Sequence, residues 1–164
     1  MKNIVLVGMP ACGKSITGVV LAKTVRKNFI DTDLLIQEKE KRPLQQIINE
    51  DGIQYFKQTE EEVLTELEAE NAVISTGGSA IYYENAMEHL KTKGTIVYLK
   101  VSLETVEKRL NNITTRGVAM GKTDTIADLY EKRVPLYEKY ADVTIEADGL
   151  EVEQTVEKII QSIN

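Results

Sequence analysis

Apolar residues enter this chain in short runs, separated by longer stretches in which they recur every three or four positions. The runs are IVLV at 4–7, NFID at 28–31, AVIS at 72–75, TIVYLK at 95–100 and DVTIE at 142–146. Short runs of this kind suit buried strands, and the amphipathic stretches between them suit crossover helices. The alternation predicts an α/β domain with five strands in a parallel sheet.

Two stretches do not fit a simple crossover. Residues 34–71 form a helical insertion carried by Ile53, Phe56, Val63, Leu64 and Leu67, with breaks near Pro43 and Gly52. This is enough chain for several helices, so it is expected to extend over the top of the sheet and face a substrate. The second is NNITTRGVAMGKTD, from 111 to 124, which is polar and poorly patterned and lies between two helical segments. Residues 111–122, with Arg116 at their centre, are expected to act as a closing lid rather than an ordinary surface loop.

Composition narrows the class without deciding the activity. With 164 residues, 42% hydrophobic and 28% charged, the chain is long enough for one domain with a full core. Its net charge of -6 opposes broad nucleic-acid binding. The lone Cys12 excludes an internal disulfide and a cysteine metal cluster, and no apolar run is long enough for a signal peptide or membrane span. A cytoplasmic monomer, binding neither membrane nor nucleic acid, is the expectation.

The first strand leads directly into GMPACGKS at 8–15, which meets the pattern G-x-x-x-x-G-K-[ST]. Gly8 and Gly13 let the loop curl so that successive N–H groups face a phosphate. Lys14 can reach the outer phosphates, Ser15 can offer its hydroxyl to Mg2+, and the following helix adds its positive end. Ala11 stands where related loops often have glycine, Ile16 follows the serine, and Cys12 is read as a passive small side chain.

Further polar residues fall where strands end, the edge at which parallel α/β sheets bind ligands. Asp31 ends the second run and Asp33 follows it; if the extended backbone persists they face the same way, one toward Mg2+ and one toward an acceptor hydroxyl. Either could instead cap the next helix. STGGSA at 75–80 follows the third run, where Gly77 and Gly78 allow either close backbone approach to a ligand or a tight turn. Lys57, Arg109, Arg116 and Arg133 bring positive charge to the same segments. Most such residues merely face solvent, but a lid arginine at 116 can neutralise a moving phosphoryl group.

Together GMPACGKS, FIDTDLLI, GIQYFKQTEEEV, VISTGGSA, TTRGVA and KRVPLY resemble the shikimate kinases over nearly the whole chain. The resemblance implies a three-layer P-loop kinase fold with strand order 2-3-1-4-5 and transfer of the γ-phosphate of ATP to the 3-hydroxyl of shikimate. By position it makes Gly8, Ala11, Cys12, Gly13, Lys14, Ser15, Ile16, Arg109 and Arg116 the nucleotide site, with Arg109 near adenine and Ser15 and Asp31 on the metal. It makes Lys14, Asp33 and Arg116 catalytic, and gives the acceptor to Asp33, Lys57, Gly77, Gly78, Ser79 and Arg133. Glu60 is expected to hold the residue at 57 in place.

This sequence departs from the family at three points. Lys57 stands where arginine is usual, Ser79 replaces the third glycine of a GGG run, and Gly117 and Val118 replace proline and leucine in the lid. A point charge for a planar fork and an added hydroxyl both bear on acceptor choice, so another small hydroxy acid or amino acid stays open as acceptor. A nucleotide-binding regulator without catalysis would have little use for Asp31, Asp33 and Arg116.

Overall fold

The strand that feeds the phosphate loop lies at the centre of the sheet. β1 (Asn3–Val7) is buried throughout, since it pairs in parallel with β3 (Ala72–Ser75) on one side and β4 (Gly94–Lys100) on the other. β2 (Asn28–Asp31) extends the sheet beyond β3, and β5 (Val143–Glu146) forms the opposite edge beyond β4. The resulting order, 2-3-1-4-5, is the one the resemblance implies. Ser75 is in register with both Leu6 and Asp31, so the carboxyl ends of β1, β2 and β3 come out together. This computed structural model describes residues 2–111 and 125–164.

Eight α-helices occur among the described residues. α1 (Lys14–Val25) packs on β3 and on α8 (Val152–Ile163), while α5 (Glu84–Lys93) and α7 (Ile126–Tyr140) pack against β4, with α6 (Leu103–Asn111) beside α7. The main core is aliphatic and sheet-centred, with Val5, Leu6, Val7, Val73, Ile96, Val97 and Leu99 wholly buried. α7 opens on a capping box in which Thr125 and Asp128 satisfy each other's backbone N–H groups.

The insertion breaks where Pro43 and Gly52 predict. It forms α2 (Thr32–Glu40), α3 (Leu44–Asp51) and α4 (Ile53–Glu66). These helices bury a small core of their own, made by Ile36, Leu44, Ile47 and Phe56. Arg42 ties the annex together from outside, reaching Glu40 at 3.1 Å, Glu50 at 2.7 Å and also Asp51, with its guanidinium near the Tyr55 ring.

One local expectation fails. The extended backbone does not persist to Asp33, because the chain turns into α2 at Thr32. Asp31 causes the turn: its Oδ1 accepts the N–H groups of Asp33 at 2.9 Å and Leu34 at 3.4 Å, meeting donors that a helix start leaves unpaired. Asp31 is thus the helix cap, and Asp33 stands in the first turn of α2 rather than two positions along a strand.

A separate annex core implies separable stability. Ile47→Ala removes a wholly buried side chain from the smaller cluster and should cost about 2–5 kcal/mol. Hydrogen exchange should accelerate across 32–66 while β1 keeps more of its protection. Equal loss of protection in both would show that annex and sheet open as one unit.

Candidate active site

A cleft of about 800 Å³ runs over the carboxyl ends of the central strands, from the phosphate loop to Phe56 and Glu60 in the annex. At the loop end, Gly8 has φ 154° and no room for a side chain: a Cβ there would lie 2.8 Å from the Leu99 carbonyl oxygen and 2.9 Å from Cys12 Sγ. Gly13, with φ 96°, is the cap of α1. Ala11 takes the left-handed conformation at φ 64° despite its side chain, and its carbonyl accepts from Arg109 Nη1 at 3.0 Å.

Lys14 is buried in the loop it serves. Its Nζ donates to the Gly8 carbonyl at 2.7 Å and the Met9 carbonyl at 3.0 Å, with Cys12 Sγ at 3.5 Å. Ser15 Oγ donates to Asp31 Oδ2 at 3.1 Å, so one carboxylate caps α2 with one oxygen and meets the phosphate loop with the other. Ile16 projects outward with 65% of its surface exposed, on the cleft wall.

The other end is built around the turn after β3. A Cβ at Gly77 would lie 2.8 Å from both Asp33 Oδ1 and Glu60 Oε2, so these oxygens are at most twice that distance apart. A Cβ at Gly78 would lie 2.8 Å from Arg133 Nη1 and 2.9 Å from Pro10 Cδ. The turn therefore passes between two carboxyl groups and a guanidinium, and glycine is required at both positions by close approach.

Arg133 and Glu60 are each only 1% exposed. Arg133 Nε donates to Tyr82 Oη at 3.3 Å and its guanidinium carbon lies 5.4 Å from the Tyr82 ring centroid. Tyr137 Oη donates to the Gly78 carbonyl at 2.6 Å, and its ring stacks on Tyr98 with centroids 5.0 Å apart. Glu60 Oε1 accepts from Tyr83 Oη at 2.8 Å and from Ser79 Oγ. Burial pushes the Glu60 carboxyl up to about 7, with Asp33 adding to the rise and Ser79, Tyr83 and Arg133 opposing it.

Most of the expected residues meet here. Ala11, Cys12, Gly13, Lys14, Ser15 and Ile16 line one end with Asp31 and Arg109, and Asp33, Gly77, Gly78, Ser79 and Arg133 line the other. Gly8 is not on the cleft wall and acts by shaping the loop. Lys57 is not on it either, and its side chain makes no hydrogen bond or ion pair with any described residue. Glu60 bonds Ser79 and Tyr83 instead of bracing Lys57, because its side chain turns inward to the hydroxyls of the glycine turn. Arg116, Gly117, Val118 and residues 112–122 of the expected lid lie outside the described residues.

Sequence reasoning passed over Tyr82, Tyr83 and Tyr137. A signal was present: seven of the nine aromatic residues are tyrosines, two of them directly after the glycine turn, and buried aromatics with hydroxyls imply polar partners.

The family model described as shikimate kinase matches residues 10–164. The chain belongs to the shikimate kinase family. A shikimate kinase of Clostridium botulinum (strain Okra / Type B1) is 41% identical over 143 residues, covering 85% of this chain and 84% of that protein. One from Sulfurihydrogenibium sp. (strain YO3AOP1) is 37% identical over 99% of this chain and 98% of its own length. The solved shikimate kinase of Acinetobacter baumannii in complex with shikimate superposes with a TM-score of 0.92 at 32% identity, covering 99% of this chain and 93% of that one. Family membership accounts for the phosphate loop and the sheet order, and it places this chain among ATP-dependent kinases.

The raised Glu60 carboxyl has a signed effect on stability. Glu60 titrates near 4.5 when unfolded and near 7 when folded, so between those values the folded state holds the extra proton. Stability from this group is full below about pH 4.5 and falls as pH rises to about 7, by about 3 kcal/mol. Glu60→Gln keeps an oxygen for both hydroxyls but cannot titrate. Urea denaturation from pH 5 to 8 should show the variant gaining steadily on the wild type and exceeding it above pH 7; a constant difference would refute the assignment.

Proposed function

We propose that this chain transfers the γ-phosphate of ATP to the 3-hydroxyl of shikimate, giving shikimate 3-phosphate and ADP. The observation that carries the reading is the cleft itself, which joins a phosphate loop to a pocket bounded by Asp33 and the buried Arg133. Arg133 is the partner for the acceptor's carboxylate, because a planar guanidinium binds one through two parallel bonds. Asp33 receives the acceptor hydroxyl and takes its proton as the new O–P bond forms. The bond from the γ-phosphorus to the bridging oxygen breaks, and ADP leaves with the electron pair.

Lys14 neutralises the outer phosphates, and Arg116, outside the described residues, is the remaining cation assigned to the charge of the transferring group. Arg109, anchored on the loop at Ala11, and the cleft residues Ala147, Leu150 and Val152 form the adenine end. Ser15 Oγ and the Asp31 carboxylate offer hard oxygen donors suited to Mg2+, which contributes charge neutralisation at the phosphates when bound. The proposed setting is the cytoplasm, in keeping with an ATP-consuming reaction and a lone thiol. Among the described residues no helix is long and apolar enough to cross a membrane.

A different small hydroxy acid as acceptor is the second reading, and the position of Lys57 away from the cleft wall favours it. A panel of hydroxy acids, hydroxyl amino acids and sugar acids with ATP and Mg2+ separates the two. Shikimate should lead in kcat/KM by about 100-fold or more, since analogues leave buried polar groups unpaired. A different acceptor at the head of the panel would keep the kinase chemistry and discard shikimate.

Asp33→Asn tests the proton acceptor. ATP affinity by calorimetry should stay within about threefold, while single-turnover transfer falls by about two to four orders of magnitude. Unchanged transfer would reduce Asp33 to a residue of the α2 first turn.

A further inference from the structure

Ser79 is expected from the sequence to touch the acceptor, and it lines the cleft with its hydroxyl committed to Glu60. It is 3% exposed, and its Oγ donates to Glu60 Oε1, the same oxygen that accepts from Tyr83 Oη at 2.8 Å. Oε2 of that carboxyl faces Gly77, and the next residue, Gly78, has Arg133 Nη1 against it. Two hydroxyls thus fix one oxygen of Glu60, and the other oxygen forms one wall of the channel through which the turn passes. Backbone bonds hold the exit of the turn, from Ala80 N–H to the Gly77 carbonyl at 3.2 Å and from Tyr82 N–H to the Ser79 carbonyl at 3.1 Å.

We infer that Ser79 is a positioning residue for the acceptor: with Tyr83 it clamps Glu60 beneath the Gly77–Gly78 turn and so sets the height of that turn against Arg133 and Asp33. The inference rests on the proposed acceptor site and adds a residue that acts through Glu60 rather than on the substrate. The turn has no slack, because a side-chain carbon at either glycine would meet oxygen or nitrogen at 2.8 Å. A small drift of Glu60 therefore moves the backbone that the acceptor touches. The phosphate loop touches the turn at Pro10 but has its own braces in Lys14 and Arg109, so the effect should fall mainly on the acceptor.

The test uses the full chain with Ser79→Ala, Tyr83→Phe and Glu60→Gln, assayed for shikimate KM, ATP KM and kcat, with calorimetric shikimate binding alongside. Loss of one hydrogen bond from the clamp in Ser79→Ala should raise the shikimate KM about tenfold, with kcat and ATP KM within about twofold of wild type. Tyr83→Phe should act in the same direction. Glu60→Gln keeps an oxygen for both hydroxyls but gives up the charge that faces Arg133, so it too should raise the shikimate KM while ATP KM stays within about twofold. An unchanged shikimate KM and Kd in Ser79→Ala, or a parallel rise in ATP KM, would overturn the inference. If Ser79→Ala does not fold, Tyr83→Phe decides by the same criteria. Failure of the proposed reaction would appear differently, as a wild-type chain that neither binds nor phosphorylates shikimate.

Discussion

Arg133 sits almost wholly inside the protein, and much of the site follows from the cost of putting a guanidinium there. A charge removed from water needs hydrogen bonds and opposite charge close by, or the fold loses several kcal/mol. Tyr82 supplies a ring face and a hydroxyl, and Glu60 supplies compensating charge across the glycine turn. Glu60 in turn needs Ser79 and Tyr83, since a lone carboxylate at that depth would simply take up a proton. The chain of requirements ends at tyrosines from the 3-10 turn at Ala80–Tyr82 and its exit, and at Tyr137 one turn along from Arg133 in α7. Packing, hydrogen bonding and charge at this end of the cleft are one problem with one solution.

Much of this architecture was legible because it is local. NFID and AVIS are strands with the bounds read from their apolar runs, and the insertion breaks at its proline and glycine. Gly8, Gly13, Lys14 and Ser15 announce themselves because phosphate binding dictates their spacing. The misreading of Asp33 was also local, but it turned on a competition: Asp31 can serve a strand end or cap a helix, and the two unpaired N–H groups after it decided the matter. The tyrosine shell was not legible, because Tyr137 meets Gly78 from 59 positions away and only the packing of α7 brings them together. Glu60 was assigned to Lys57 through the family resemblance, and tertiary contacts at Ser79 and Tyr83 took it elsewhere.

The family departures at 57 and 79 become physically related once Glu60 is placed. A hydroxyl at 79 gives the carboxylate a partner on the turn side, and the cation at 57 is left to its own helix. Both changes fall outside the phosphate loop, which keeps every residue its pattern requires. The two halves can diverge separately because they are carried by different parts of the chain, the loop by β1 and α1 and the acceptor wall by α4, α7 and the turn after β3.

Lys14 and Arg109 give the phosphate loop a property of its own. Lys14 holds the carbonyls of Gly8 and Met9, and Arg109 holds that of Ala11, so the loop's oxygens are already drawn to cations. The ordering entropy of the loop is met when the protein folds, not when nucleotide arrives. On the proposed reading, capture of a polyphosphate amounts largely to an exchange, in which phosphate oxygens compete with carbonyl oxygens for an ammonium already in place. Such a site discriminates by the negative charge of what enters, because a neutral or singly charged guest offers Lys14 less than the carbonyls it would have to leave.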